Sequence, residues 1–214
     1  TRTPDAHFLT EVRYKGTKVV SVSPDYAEST TSSDAWLNVK AGTDAALAMA
    51  MGHVILKEYY IDKETPYFKE YAKEFTDMPF LVRVEDINGT VQPGRFLNAK
   101  DLGRQEEGAD FQMVLIDETT NEIVIPNGTM GERHTNPQKW NLRLENRDTG
   151  AKIDPRLSVF DQREDVTVVK LPYFGDEEHE GVIERAIPTI TVQTVDGPVK
   201  VTTVYDLILA NYGI

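Results

Sequence analysis

The chain has 214 residues, of which 40% are hydrophobic and 27% charged, a composition typical of globular rather than disordered or fibrous proteins. Its formal net charge of −12 argues against nucleic acid as a partner, because phosphate binding requires a basic face. The sequence contains no cysteine, which excludes disulfides, cysteine–zinc sites and iron–sulfur ligands within it. No apolar run is long enough to cross a membrane, so we expect no direct membrane insertion.

The first third of the sequence predicts helices alternating with strands. Thr3 is a suitable N-cap and Gly16 a suitable helix end, while the β-branched run that follows favours a buried strand. The helix after Gly42 is apolar on most sides, which predicts that it is well buried. The expected order is helix 3–16, strand 18–23, loop or short turn 28–34, strand 36–39, helix 44–59 and helix 65–75.

From residue 77 onward, short strands joined by turns replace this pattern. Hairpins are expected around turns at 86–89, 118–121, 148–150 and 196–198, and a short helix at 205–212. The predicted fold class is therefore α/β, with a partial Rossmann-like three-layer N-terminal part and a strand- and hairpin-rich C-terminal part. We expect the division at residues 1–76 and 77–214, the second region ending in the short helix.

The polar residues best placed for ligand binding lie in two short segments, Ser23-Pro24-Asp25-Tyr26 and Gly42-Thr43-Asp44. Open α/β sheets bind ligands beyond the carboxyl ends of their strands, and Asp25 and Glu28 lie just past such an end. Their carboxylates can accept hydrogen bonds from a ribose or a guanine edge, as can that of Asp44. Thr and Asp at a helix start also commonly serve only to cap the helix and complement its dipole, so the residues alone leave both interpretations open.

No histidines have the spacing of a metal site, and no nucleophile is paired with a base. We therefore assign no catalytic residue and no metal ligand.

Several longer motifs carry a resemblance to a known family. They are Thr1-Arg-Thr-Pro-Asp-Ala-His-Phe8, Pro24-Asp-Tyr-Ala-Glu28, Gly42-Thr-Asp-Ala-Ala46, Ala50-Met-Gly-His-Val54, Pro172-Tyr-Phe-Gly175 and Thr202-Thr-Val-Tyr-Asp206. Together they resemble the molybdopterin oxidoreductases of the dimethyl-sulfoxide-reductase family and, more narrowly, the alpha (catalytic) subunits of membrane-bound respiratory nitrate reductases. Because the matches run from the first residue almost to the last, the resemblance implies that this chain is an internal fragment of such a subunit.

The resemblance implies a cofactor, a molybdenum ion held by two molybdopterin guanine dinucleotides. It also implies that Ser23, Pro24, Asp25, Tyr26, Gly42, Thr43 and Asp44 contact one guanosine and its phosphates. The molybdenum ligand and a 4Fe-4S cluster are expected elsewhere in the intact subunit. Residues 1–76 then form the guanosine-binding region, and the isolated chain is expected to be inactive.

The intact enzyme implied by the resemblance reduces nitrate to nitrite with electrons from quinol. Its expected partners are an iron–sulfur beta subunit and a membrane-embedded, quinol-oxidising gamma subunit, which hold it peripherally at the cytoplasmic face of the cell membrane. A non-catalytic nucleotide-binding or subunit-docking module is the alternative, with the strand-rich residues 77–204 as the docking surface.

Overall fold

The computed structural model describes residues 3–128, 143–172 and 181–214. It contains two compact units, Thr1–Val54 and Ile55–Ile214. Helices and strands are mixed throughout, which confirms the α/β class. The expected domain boundary at residue 76 stays a prediction.

The first unit carries two parallel strands. They pair in register from Val20 opposite Ala35 to Val22 opposite Leu37. The expected helix 3–16 and both strands are confirmed, and Gly16, with φ of +89°, follows the first helix as expected of a helix end. The elements are α1 (Thr3–Tyr14), β1 (Val20–Val22), α2 (Glu28–Thr31), β2 (Ala35–Leu37) and α3 (Asp44–Ile55).

Burial in this unit differs from the sequence prediction. Helix α3 was expected to be well buried, and this is wrong: none of its residues is buried. The expectation of a buried first strand is also wrong, since 55% of Val20 is exposed. Thr30 is the only buried residue among those described between 3 and 54. Parallel strands and helices that are apolar all round need layers on several sides, and a two-stranded sheet supplies too few.

The second unit begins with a change of helix type. The segment Leu56–Asp62 is a π-helix, so the predicted α-helix to residue 59 ends early. Helix α4 (Pro66–Phe75) follows Thr65 as predicted, with proline at its first turn. Tyr60 and Ala72 are buried here in one apolar cluster with Leu56, Leu157 and Tyr205.

The remaining elements are mostly strands. They are β3 (Leu81–Ile87), β4 (Thr90–Phe96), β5 (Leu115–Ile116), β6 (Ile123–Val124), β7 (Pro126–Asn127), β8 (Arg143–Asn146), β9 (Asp165–Pro172), β10 (Val182–Thr194), β11 (Gly197–Thr203) and α5 (Val204–Asn211). The short C-terminal helix is thereby confirmed.

Five of these strands form one antiparallel sheet in the order β4-β3-β11-β10-β9. The hairpins predicted at 86–89 and 196–198 are confirmed as β3–β4 and β10–β11. Asn88 and Gly89 have φ of +56° and +79°, as a two-residue type I′ turn requires. The sheet is curled: Cα atoms of its two outer strands, β4 and β9, lie within 8 Å of one another. Pro93, in β4, pairs with Val84.

The two other hairpins are shorter than expected. Strands β5 and β6 pair across the turn at 118–121, which confirms that hairpin. At 148–150 the chain also turns back, with the N–H of Asn146 donating to the carbonyl of Ala151 at 2.7 Å. The start of the predicted strand there, residues 140–142, lies outside the described residues. The largest core cluster combines residues of the five-stranded sheet, such as Leu81 and Val201, with residues outside it, such as Leu97.

Among the residues that the structure describes, no helix is both long and apolar enough to cross a membrane.

Candidate functional site

Asp34 fixes the start of the parallel strand pair. Its N–H donates to the carbonyl of Val19 at 2.8 Å, and its carboxylate accepts from the N–H of Val19 at 2.8 Å. The same carboxylate accepts from Nη2 of Arg13 at 3.0 Å. The hydrogen bond from Arg13, together with that from Val19, lowers the pKa of Asp34 below its ordinary value. The carboxylate therefore stays charged at neutral pH and holds α1 and both strands together.

The turn after β1 is organised by its own side chains. Ser23 Oγ donates to Asp25 Oδ1 at 2.9 Å, and the backbone N–H of Asp25 reaches Ser23 Oγ at 3.4 Å. The rings of Tyr26 and Trp36 meet edge to face, with centroids 5.3 Å apart. Trp36 Nε1 donates to the backbone carbonyl of Ser23 at 2.9 Å. Pro24 lies exposed within this turn, so the predicted residues 23–26 form one local structure supported from β2.

The second predicted segment forms the start of α3. Gly42 has φ of +82°, and a Cβ added to it would meet no heavy atom within 4 Å, so the space beside it is open. Thr43 donates its hydroxyl to the carbonyl of Lys40 at 2.6 Å, and its own carbonyl accepts from the N–H of Leu47 at 3.2 Å. Asp44 is the first residue of the helix. The first N–H groups of an α-helix have no partner within the helix and attract anions.

The two segments share a topological position. Residues 23–26 follow the carboxyl end of β1 directly, and residues 42–44 come after the carboxyl end of its parallel neighbour β2. Within residues 3–128, no hydrogen bond, ion pair or ring contact joins one segment to the other. Asp25 and Asp44 also form no ion pair with a described residue, so both carboxylates can still accept hydrogen bonds from a ligand.

Sequence reasoning missed two residues that support this site. Trp36 is 36% exposed and holds Ser23 and Tyr26 in place. Asp34 joins α1 to the starts of both strands. Both belong to the run Asp34-Ala35-Trp36 at the start of β2. Their position beside a predicted strand is the sequence feature that could have identified them as supporting residues. The side chain of Glu28, at the start of α2, lies outside the described residues.

Known proteins similar to this chain include reductase alpha subunits. The chain is 50% identical over 214 residues to the nitrate reductase alpha chain of Bacillus subtilis (strain 168) and 46% identical over 226 residues to the respiratory nitrate reductase 1 alpha chain of Escherichia coli (strain K12). Both alignments cover the whole of this chain but only 17% and 18% of the relatives. The perchlorate reductase subunit alpha of Dechloromonas aromatica (strain RCB) is 39% identical over 133 residues, 62% of this chain and 13% of the relative. The chain thus spans less than a fifth of the length of these relatives.

A family model agrees with these similarities. The model described as molybdopterin oxidoreductase matches residues 1–195, which include both candidate segments and nearly all of the described strands. The resemblance expected from the motifs is thereby confirmed. Since the match covers most of the 214 residues, this chain belongs to the molybdopterin oxidoreductase family.

Proposed function

We propose that residues 23–26 and 42–44 hold one guanosine end of a molybdopterin guanine dinucleotide. The observation that supports this best is their shared position after the carboxyl ends of two paired parallel strands, where open α/β sheets bind ligands. Membership of the family supports a molybdenum–pterin cofactor, and the dinucleotide form is our proposal. The residues fit such a group, because an open glycine, a helix start and two carboxylates without a described ion-pair partner lie there.

The start of α3 recognises the base and the phosphates in this proposal. The carboxylate of Asp44 accepts hydrogen bonds from N1–H and the amino group of guanine, and its charge makes these bonds stronger than those to a neutral acceptor. The backbone N–H groups of the first helical turn attract the phosphates. Gly42 lets the chain come close to the ligand, since it carries no side chain and the space beside it is open.

The turn after β1 holds the sugar. Ser23 and Asp25 offer oxygens that accept hydrogen bonds from ribose hydroxyls. The ring of Tyr26 is 63% exposed and provides an apolar surface for the guanosine. Trp36 keeps this turn in place through its hydrogen bond to Ser23 and its contact with Tyr26.

For the whole protein, we propose reduction of nitrate to nitrite with electrons from quinol. We propose nitrate and not perchlorate as the substrate because the nitrate reductase relatives match the entire chain. The perchlorate reductase relative matches 62% of it. When bound, the molybdenum cofactor supplies oxygen-atom transfer. In this proposal the chain contributes the nucleotide-binding residues, and the molybdenum ligand comes from another region of the subunit. A 4Fe-4S cluster belongs to another region of the subunit.

The proposed partners are an iron–sulfur beta subunit and a membrane-embedded gamma subunit that oxidises quinol. The subunit would then be attached peripherally, at the cytoplasmic face of the membrane. The names of the relatives, which are alpha chains and subunits, support partner subunits in general. The specific partners and the membrane face remain our proposals.

Calorimetric titration of the 214-residue chain with GDP and ADP tests the guanosine site. We expect GDP to bind more tightly, and Asp44→Asn to weaken GDP binding about tenfold or more, since hydrogen bonds to a charged group are lost. Asp5→Asn is the matched control, because Asp5 lies in the first turn of α1 as Asp44 does in α3. Equal loss in both variants, or no GDP binding to the unaltered chain, would contradict the proposal.

One observation favours a second candidate, a subunit-docking module without catalysis, although it concerns residues 3–54 and not the strand-rich residues 77–204 expected from the sequence as the docking surface. The described residues 3–54 expose several large apolar side chains, among them Phe8, Val20, Val22, Leu37 and Met51. Such side chains are candidates for contact with a partner, because removing apolar surface from water is favourable. Absence of nucleotide binding together with binding of a partner subunit would support this candidate over the first.

A further inference from the structure

The second unit contains a cavity that the proposed function does not use. Its volume is about 710 Å³, within the range of small-molecule sites. The π-helix, α4, the segment 157–161, β10 and α5 all contribute to its walls. None of the residues proposed to bind the dinucleotide lines it.

Two tyrosines that line the cavity are almost completely buried. Tyr60 is 8% and Tyr205 5% exposed, and their ring centroids are 6.1 Å apart. Neither hydroxyl forms a hydrogen bond with a residue in the described ranges. Neither oxygen is among the fully enclosed atoms that lack a partner, so both hydroxyls keep some accessible surface, and both residues line the cavity. A buried phenol usually finds a hydrogen-bond partner, and here the cavity is the place where one can bind.

Both phenols remain neutral donors at neutral pH. Burial, followed by the nearby charge of Asp206, raises the pKa of Tyr205. Burial likewise raises the pKa of Tyr60. Each hydroxyl can therefore donate one hydrogen bond to a ligand and accept another.

Most charged groups around the cavity already have partners. Lys69 contacts Glu64 at 2.6 Å, and Lys73 contacts Asp154 at 2.6 Å, so neither ammonium needs an anionic ligand. The lining has four carboxylates, on Glu64, Glu118, Asp161 and Asp206, against the two lysines. The excess of negative charge disfavours an anion and favours a cation.

The carboxylate of Asp161 is the exception to this pairing. Glu118 accepts from Arg156 Nε at 2.9 Å, and Asp206 accepts from Ser158 Oγ at 2.6 Å. Asp161 forms no hydrogen bond or ion pair with a described residue, and it is exposed where it lines the cavity. Among the charged groups that line the cavity, the carboxylate of Asp161 is therefore the one with which a cationic ligand can most readily pair.

We propose that this cavity binds a small organic amine with an apolar or aromatic body. Its ammonium group pairs with Asp161, and its body packs against buried Leu157 and Ala210. A neutral polar group on the body, such as a hydroxyl, forms hydrogen bonds with Tyr60 and Tyr205. The wall thus places charged and hydroxyl groups beside apolar side chains, so that both ends of such a ligand find a partner.

Three probes that share a para-substituted phenol ring but differ in charge test this proposal by calorimetry on the 214-residue chain. They are tyramine, which is cationic, 4-ethylphenol, which is neutral, and 3-(4-hydroxyphenyl)propionate, which is anionic. We expect tyramine to bind about three- to fivefold more tightly than 4-ethylphenol, and the anion to bind most weakly. Equal binding of all three, or no binding of tyramine at millimolar concentration, would overturn the proposal.

Variants of the lining, with one control variant outside it, locate the site. Asp161→Asn is expected to abolish the preference for tyramine, whereas Glu145→Gln, at an exposed acid that does not line the cavity, should retain it. Tyr205→Phe removes one hydroxyl and should weaken all three probes about three- to tenfold without changing the charge preference. If Tyr205→Phe does not fold, Tyr60→Phe provides the same test, because it also removes one hydroxyl from the cavity wall. An unchanged preference in Asp161→Asn would overturn the site, and GDP binding in that variant should remain, which separates this proposal from the nucleotide site.

Discussion

The carboxylate of Asp206 accepts a hydrogen bond from the hydroxyl of Ser158 at 2.6 Å, which ties the segment before residues 160–162 to the start of α5. Its second oxygen accepts from the backbone N–H of Val159 and from Thr203 Oγ1, both at 2.9 Å. Thr203 in turn accepts from the N–H of Asp206 at 3.1 Å as the N-cap of the helix. One buried side chain thus connects two segments that are far apart in the sequence.

Replacing Asp206 by alanine should lower the free energy of unfolding by about 2–4 kcal/mol, because several buried donors lose their acceptor. Urea denaturation followed by circular dichroism measures this. The control is Asp196→Ala, at an exposed turn position, where we expect a change within about 0.5 kcal/mol. A loss below about 0.5 kcal/mol in Asp206→Ala would contradict the structural role.

The same residue should make stability depend on pH. Burial, the largest cause, raises the pKa of Asp206 above its ordinary value of 3.8, although the hydrogen bond from Ser158 and others oppose the shift. The folded protein then takes up the proton at a higher pH than the unfolded chain does. The contribution of Asp206 to stability is therefore fully present below pH 3.8 and is lost as the pH rises through its raised pKa.

Unfolding measured from pH 3 to 8 on the unaltered chain and on Asp206→Asn checks the sign. The stability of the unaltered chain relative to the variant should fall with rising pH in this window. A difference that stays constant, or that grows with pH, would contradict the expected protonation.

Asp34 should behave in the opposite way. The hydrogen bond from Arg13 lowers its pKa, so its contribution to stability is present above 3.8 and is lost as the pH falls through the lowered pKa. Carboxyl-carbon NMR titration should show the pKa of Asp34 rising in Arg13→Gln. Asp165, whose pKa is lowered by Lys200, is the internal control and should not move in that variant.

Gly42→Ala should lower the free energy of unfolding by about 1–2 kcal/mol, because the left-handed conformation strains residues with a Cβ. Gly16 is a matched position, with φ of +89° and no heavy atom within 4 Å of an added Cβ. Both alanine variants should therefore lose similar stability in urea denaturation. We expect weaker GDP binding in Gly42→Ala alone, and an equal effect of both variants on GDP would argue against the glycine's role in the site.

Backbone amides in the first unit should exchange hydrogen faster than those of the large sheet. Thr30 is the only buried residue described between 3 and 54, whereas β10 and β11 contribute Ile187, Val192 and Val201 to cores. Few buried contacts allow local opening at low cost in free energy. Hydrogen exchange read out by mass spectrometry compares β1–β2 with β10–β11, and slower exchange in β1–β2 would contradict this expectation.

Local patterns predicted the hairpins well. The turn at Asn88-Gly89 needs two residues in the left-handed region, and this requirement can be read directly from the sequence. The start of α4 was predictable for a similar reason, since Pro66 suits a first helical turn. Such features depend on a few neighbouring residues and little on the rest of the fold.

Features that depend on distant partners were not predicted. No strand was expected at β9, which is defined by its pairing with β10 rather than by a turn. The π-helix at Leu56–Asp62 differs from an α-helix in which carbonyl each N–H reaches, and the apolar pattern does not report this. The burial of α3 was overestimated because apolar residues indicate a need for cover and not its presence.

For the candidate site, the sequence indicated the residue types and their positions relative to strands. It did not indicate that Trp36 would bond to the carbonyl of Ser23. That contact exists because parallel pairing places Trp36 opposite Ser21, and pairing of this kind is not encoded by neighbouring residues.

The curl of the five-stranded sheet affects how the chain meets other copies of itself. An outer strand with open N–H and carbonyl groups can act as a template for aggregation. Here the two outer strands, β4 and β9, lie near each other, and Pro93 has no N–H to offer on β4. The backbone of this sheet therefore discourages the addition of a foreign strand, so that protection against fibril growth does not depend on surface charge alone.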